Sequence, residues 1–336
     1  MSRTVTGEDD PNRVEEGGNM IPITEVAKGV FRIGPLDTHN GGATPETSPY
    51  LVVGDKQAAI VEPGEGGQVP ALLDGIREIG VGTGRIAHII SSHIHLHHIA
   101  GINHLLQAIP QAKFTIHHRG VPHVMDPTRL NASTLQVWGQ QSGCPQITSV
   151  PEDRIWGVTG GEVLDLGGRE LEIIETTGHA PHHISIFDRL NKAIFPGDAV
   201  GVLQIGKERA RPDILPPLFE LDIATASLQR LRALKPSVLF LFGYGGVSHS
   251  PDQTMQWSED DIHAVERIVR EGMQQKTSSQ EIGTKVHEYY TEVGIAIPGE
   301  DGAEREAPIG MCAYVKRKHP ELEMPEGLGG DYRGRS

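Results

Sequence analysis

Four histidines fall within six residues at His93-Ile94-His95-Leu96-His97-His98. The apolar run Ile86-Ala87-His88-Ile89-Ile90 precedes them, and Ile99-Ala100-Gly101 follows. A short apolar run that empties into a histidine cluster and then glycine reads as a buried strand leading into a metal-binding loop. In an extended segment His93 and His95 project to the same side, because side chains alternate with period two. His98 falls in the loop or the first helical turn beyond and faces a different point, so the group can serve two metal positions rather than one. Neutral imidazole is a common ligand for zinc and also suits iron, nickel and copper. The bland alternative is a surface histidine cluster or an adventitious metal tag.

The surrounding pattern supplies elements to position such a loop. Strands are expected at Val30–Ile33, Ser48–Val53 and Ala58–Val61, the last two joined by the hairpin-type turn Gly54-Asp55-Lys56-Gln57. Apolar residues at Val69, Leu72, Leu73, Ile76 and Ile79 have helical spacing that stops at Gly80. Ile102–Ile109 reads as a short helix closed by Pro110, and Lys113–Ile116 as a strand. Residues 119–157 read as irregular apart from a helix near Asn131–Trp138. The second half opens with strands at 161–166, 168–175, 183–187 and 193–195. A helix at about 222–234 and the strand Val238–Phe242 follow, and beyond Pro251 the pattern turns helical at 258–271 and 279–292. Two β-rich halves, each followed by helices, suit an α/β four-layer sandwich of two sheets.

Composition narrows the function classes. The 336 residues carry a formal net charge of −14, which disfavours nonspecific binding to nucleic acid or an anionic membrane. No stretch approaches the ~20 apolar residues of a transmembrane helix, and the first residues lack an apolar signal core. Cys144 and Cys312 are too few for a disulfide framework and read as small hydrophobes. A soluble cytoplasmic protein is expected, and the last helices could equally make a homodimer contact or a lid. Residues 1–22 are polar and read as a mobile tail, 23–255 as the main domain and 256–336 as a helical extension.

Three more segments pair a strand end with glycine and a possible ligand: Thr177-Gly178-His179-Ala180-Pro181-His182-His183, Phe195-Pro196-Gly197-Asp198, and Phe242-Gly243-Tyr244-Gly245-Gly246. With the histidine loop, they resemble the metallo-β-lactamase superfamily over residues 28–255. The signature of that family is a His-x-His-x-Asp-His loop, a Gly-His-x-Pro-x-His turn, a Gly-Asp strand end and a last ligand after a late strand. Tyr50-Leu51-Val52-Val53 through Glu62-Pro63-Gly64 looks like its opening hairpin.

The resemblance implies an αββα sandwich with a two-metal site, zinc first, with iron or manganese as alternatives. Carried over by position, His93, His95 and His179 would hold one ion, His98 the other, and Asp198 would bridge them. His97 stands where the family has aspartate, and Tyr244 where it has its last histidine, with His249 as competitor. A tyrosinate would restore the negative charge lost at His97, which brings iron into consideration. Alternatively, His97 only hydrogen-bonds a ligand, Tyr244 only lines the pocket, or the second ion is absent. Asp198, His97 and Tyr244 are the positions the resemblance sets nearest the reaction. Glu62 is expected to hold the loop beneath the metals, and one of His182 and His183 to support a ligand. His88, His104, His117, His118 and His123 read as packing or surface residues.

The activity implied is hydrolysis of a small ester, thioester or lactone by a metal-bound hydroxide. The alternatives are an iron-dependent oxidoreductase, either a dioxygenase or an oxygen-handling di-iron protein, and a degenerate ligand-binding member.

Overall fold

A computed structural model describes residues 21–36, 47–138, 146–216, 218–296 and 303–328. The expected tail lies outside these except for its last two residues, and Cys144 lies outside them too. The first sheet contains β1 (Ile23–Ala27), β2 (Val30–Ile33), β3 (Tyr50–Val53), β4 (Ala58–Val61), β5 (Ile86–Ile90), β6 (Lys113–His117) and β7 (Ile155–Val158), neighbours in that order. Strands β1 to β4 are antiparallel, and β4 to β7 run parallel. The second sheet has the order β13 (Val247–Ser248), β12 (Val238–Phe240), β11 (Ala193–Phe195), β10 (Ile184–Asp188), β9 (Glu170–Glu175) and β8 (Val163–Asp165).

The helices are α1 (Val69–Glu78), α2 (Leu96–Ile99), α3 (Ile102–Ala108), α4 (Val121–Met125), α5 (Thr128–Trp138), α6 (Leu221–Ala233), α7 (Pro251–Gln274), α8 (Ser279–Glu292) and α9 (Ala303–Lys318). Period-two alternation divides the strands between layers. In β4, Ala58 and Ile60 join the cluster packed with α1 and α3, while Ala59 and Val61 join the layer between the sheets. In β12, Val238 and Phe240 point into that middle layer, while Leu239 packs with α6 to α9. Both sheets are therefore apolar on two faces, and the expected four-layer sandwich is present.

Four departures from the sequence reading have local causes. Helix α7 begins at Pro251, not 258, because proline fits a first helical position as well as it fits a break. The helix consequently runs through position 255, where the main domain was expected to end. Helix α9 was not expected, since Pro308 interrupts its pattern. The 119–157 region contains α4 and β7, and β7 is too short and glycine-containing to alternate visibly. Strand β1 lies next to the polar leader that hid it.

Arg169 joins the sheets away from the histidine loop. Its Nη1 donates to the carbonyls of Lys28, Gly29 and Val53, each at 3.0 Å, and its Nη2 pairs with the buried Asp188 carboxylate. A buried pair contributes little net stability, but removing one partner strands the other. Arg169→Ala is expected to lower the free energy of unfolding by about 3–5 kcal/mol, measurable by urea denaturation.

Candidate metal centre

Strands β5, β9 and β11 finish at the same end of the sandwich, and each delivers ligands there. After β5 the chain bends at Ser92 and His93, and Leu96 starts the short helix α2, so His93 and His95 precede the helix while His97 and His98 lie on it. After β9 comes Gly178 at φ +134°, where a Cβ would lie 2.4 Å from Ala224 N. After β11, Gly197 turns at φ +54°, where a Cβ would meet Ser92 Cβ at 2.4 Å and His183 Nε2 at 2.7 Å. Only glycine fits either place.

Two groups of donor atoms converge: His93, His95, His179 and Asp198 in one, and His93, His97, His98 and Asp198 in the other. His93 Nε2 is 2.8 Å from His95 Nδ1, which is 3.2 Å from His179 Nε2. Asp198 Oδ2 lies 3.1 Å from His98 Nε2, 3.5 Å from His93 Nε2, 3.6 Å from His179 Nε2 and 3.8 Å from His97 Nε2. Ligands about 2.0–2.1 Å from a tetrahedral ion stand roughly 3.3 Å apart, so these separations fit a metal. Imidazoles facing one another this closely also have too few protons to satisfy each other, whereas a cation satisfies them all.

The far side of most donors is fixed. Ser92 Oγ stands 3.0 Å from His93 Nδ1, Glu62 Oε2 is 2.9 Å from His98 Nδ1, and the Asp213 carbonyl is 2.9 Å from His179 Nδ1. Such partners set which nitrogen faces the ion. His183 holds Asp198 from behind: its Nε2 accepts the Asp198 N–H at 3.1 Å, and Thr176 Oγ1 is 2.9 Å from its Nδ1. Glu62 also accepts from Ser91 Oγ and the Ser92 N–H, and its backbone is left-handed at φ 60°.

The seven expected ligands divide six to one. The structure gathers His93, His95, His97, His98, His179 and Asp198. His97 turns inward, toward Asp198, although its ring is partly exposed. Tyr244 is half-buried on a left-handed turn at φ 58°, and none of the described hydrogen bonds or ring contacts joins its phenol to the cluster. His249 is exposed. Phe242, two residues before Tyr244, packs on the His98 ring at 4.7 Å.

Among the other histidines, His88 lies against Trp156, His117 stands 3.4 Å from Glu175, and His104, His118 and His123 are exposed. Asp213 is the residue that sequence reading missed. Its carboxyl adjoins Asp198, and burial first, then that neighbour, push it up to about 7. No spacing rule links it to the motifs.

Burial, reinforced by neighbouring imidazoles, holds His93 and His95 well below the ordinary histidine value and lowers His97. Burial opposes charge on His98 as well, but the Asp198 and Glu62 carboxylates override it and push His98 up to about 10. Asp198 is held well below the carboxylate range, since His98 and the other imidazoles outweigh its burial.

The sequence model of one family, the metallo-beta-lactamase superfamily, matches residues 45–244. This chain belongs to the metallo-β-lactamase superfamily. The metallo-beta-lactamase fold-containing protein ST1585 of Sulfurisphaera tokodaii is 27% identical over 207 residues, 59% of this chain and 72% of that protein. Its solved structure superposes with a TM-score of 0.58, covering 70% of this chain and 86% of that one at 24% identity. Hydroxyacylglutathione hydrolase GloC of Haemophilus influenzae is 27% identical over 194 residues, 57% of this chain and 81% of the relative. The metallo-β-lactamase family protein TTHA1429 of Thermus thermophilus superposes with a TM-score of 0.64, covering 87% of this chain and 94% of that one at 16% identity. These superpositions establish the fold. Among the described residues, no helix is long and apolar enough to cross a membrane.

Two measurements check the site. His98 Nε2 must be free of a proton to ligate. With the metal-free value raised from 6.5 to about 10, metal uptake at pH 7 is expected to release about one proton from this residue, and affinity to climb with pH up to about 10. Calorimetry in buffers of differing ionisation enthalpy reads the release; none would mean that His98 is neutral beforehand. For the metal-free fold, the raised value contributes stability that is fully present below pH 6.5 and lost as pH rises through about 10. Separately, Gly197→Ala is expected to cost about 1–3 kcal/mol in denaturant melts and to weaken metal binding, because it displaces Ser92 and His183.

Proposed function

We propose that this protein is a metal-dependent hydrolase of a small carbonyl substrate, an ester, thioester or lactone. The observation carrying this reading is the convergence of two four-residue donor groups that share His93 and the Asp198 carboxylate. When bound, a pair of divalent ions, zinc foremost and iron or manganese otherwise, would supply hydroxide near neutral pH and polarise the carbonyl oxygen. His93, His95, His179 and Asp198 would hold one ion; His97, His98 and Asp198 would hold the other. The similarity to GloC, a hydroxyacylglutathione hydrolase, supports an acyl substrate.

The chain's own part is preorganisation. Glu62 takes the Nδ1 side of His98 and leaves Nε2 for the ion, while His183 holds the Asp198 main chain so that its carboxylate faces the histidines. Tyr244 is proposed as a further anionic ligand of the second ion, offsetting the carboxylate that His97 replaces. Its turn follows directly on Phe242, which touches His98.

Elemental analysis combined with a panel of aryl esters, thioesters and lactones tests the reading. Metal-loaded protein is expected to cleave a member of the panel, and His93→Ala to lose more than about 100-fold in turnover together with bound metal. Metal-replete protein inert on the whole panel would overturn it. His97, an imidazole 3.8 Å from Asp198 Oδ2 where the family has a carboxylate, supports a second reading, an iron-dependent oxidoreductase. Protein produced with iron would then show a visible charge-transfer band that Tyr244→Phe abolishes. A colourless sample that takes only zinc would exclude this reading.

A further inference from the structure

Helix α7 buries a row of polar residues where apolar ones would be expected. Thr254, Ser258 and Asp261 stand at i, i+4 and i+7, on one face of the helix, and each is 0% exposed. Buried polar groups are costly unless paired, and all three pair with one segment, residues 200–209. Thr254 Oγ1 lies 3.2 Å from the Glu208 carbonyl, a contact it shares with Ser248 Oγ at 2.6 Å and the Ser250 carbonyl at 3.1 Å, and Ser258 Oγ donates to the Val200 carbonyl at 2.7 Å. Asp261 accepts both arms of Arg209, with Nε at 2.9 Å, and the Tyr289 hydroxyl of α8 donates to it at 2.5 Å. Apolar residues at these positions would bury α7 as well, so the row fixes where the segment sits more than it adds stability.

That segment leads straight to the metal centre. Val202 and Arg211 exchange backbone hydrogen bonds at 2.8 Å, closing the segment into a hairpin. Two residues beyond Arg211, the Asp213 carbonyl accepts from His179 Nδ1 at 2.9 Å. The contact is to main chain, so it can be placed only by placing the loop. Helix α9 presses on the same stretch from the other side, where a Cβ on Gly310 would lie 2.6 Å from the Ile214 carbonyl oxygen. Ile262, next to Asp261, lines the small cavity behind His179 and Asp198.

We propose that the buried polar row of α7 is the device that orients His179 toward its metal, with Asp261 as a positioning residue acting through Arg209 and the loop to Asp213. The helical region after the family match is then part of the metal centre. This inference rests on reading the cluster as a metal site.

The test is zinc affinity by chelator competition on the full-length protein, well below its melting temperature, with the His179 Nδ1–H resonance followed by nitrogen-edited NMR. Asp261→Asn is expected to bind zinc about 10–100-fold more weakly and to shift or broaden that resonance, with circular dichroism unchanged. Arg209→Lys, which keeps the charge, is expected to lose less than Arg209→Ala. Ser258→Ala removes one hydroxyl and is expected to cost about threefold; it decides the matter if Asp261→Asn does not fold. Folded variants with wild-type zinc affinity and an unmoved resonance would overturn the proposal. Wild-type protein that binds no metal would overturn this proposal and the proposed function together. Metal-loaded wild type that hydrolyses nothing would overturn the hydrolase reading, while weakened zinc binding in the variants would still support the positioning role.

Discussion

The buried oxygen Asp198 Oδ2 sets the terms for the rest of the molecule. A carboxylate this enclosed is tolerated only if its charge is answered, and the answer comes from imidazoles at 3.1 to 3.8 Å. Those imidazoles arrive on different segments: the loop after β5, the turn after β9 and the helix α2. For them to meet Asp198, strands from both sheets must end at one edge, and each sheet must be covered on its other face. The layered core follows from that requirement. So do the two glycines, because Gly178 and Gly197 are where chain passes too near chain for any side chain.

The electrostatics follow the same logic at shorter range. Crowded imidazoles cannot all be charged, and burial keeps His93 and His95 neutral, the form that offers a lone pair. His98 is the exception because it lies between two carboxylates, Asp198 and Glu62. In the metal-free molecule its proton serves as the counter-charge that a cation would otherwise bring.

Much of this was legible in the sequence, for reasons that also mark where legibility stops. The ligands sit in short runs beside glycine at strand ends, so spacing and β-alternation locate them, and the middle layer follows from period-two patterns such as Tyr50-Leu51-Val52. His183 was visible as a neighbour of a motif. Asp213 was not, because it acts through a carbonyl and through a contact made only after folding, with no motif around it. Arg209 and Asp261 are 52 residues apart and belong to unrelated patterns. Thr254 lies before the helix expected at 258–271, and nothing in the polar side chains of Thr254, Ser258 and Asp261 signals that the fold buries them. Helix α9 was obscured by its own proline.

Glu62 carries one more consequence. Its backbone lies in the left-handed region, at φ 60°, where glycine would sit without strain and most other residues pay about a kilocalorie or more. The side chain is what justifies the conformation, since it alone gives His98, Ser91 and Ser92 their common acceptor. At this position, selection for a relaxed backbone and selection for a working centre favour different residues. A glycine there would relax the main chain and leave His98 Nδ1, Ser91 Oγ and the Ser92 N–H without the acceptor they share.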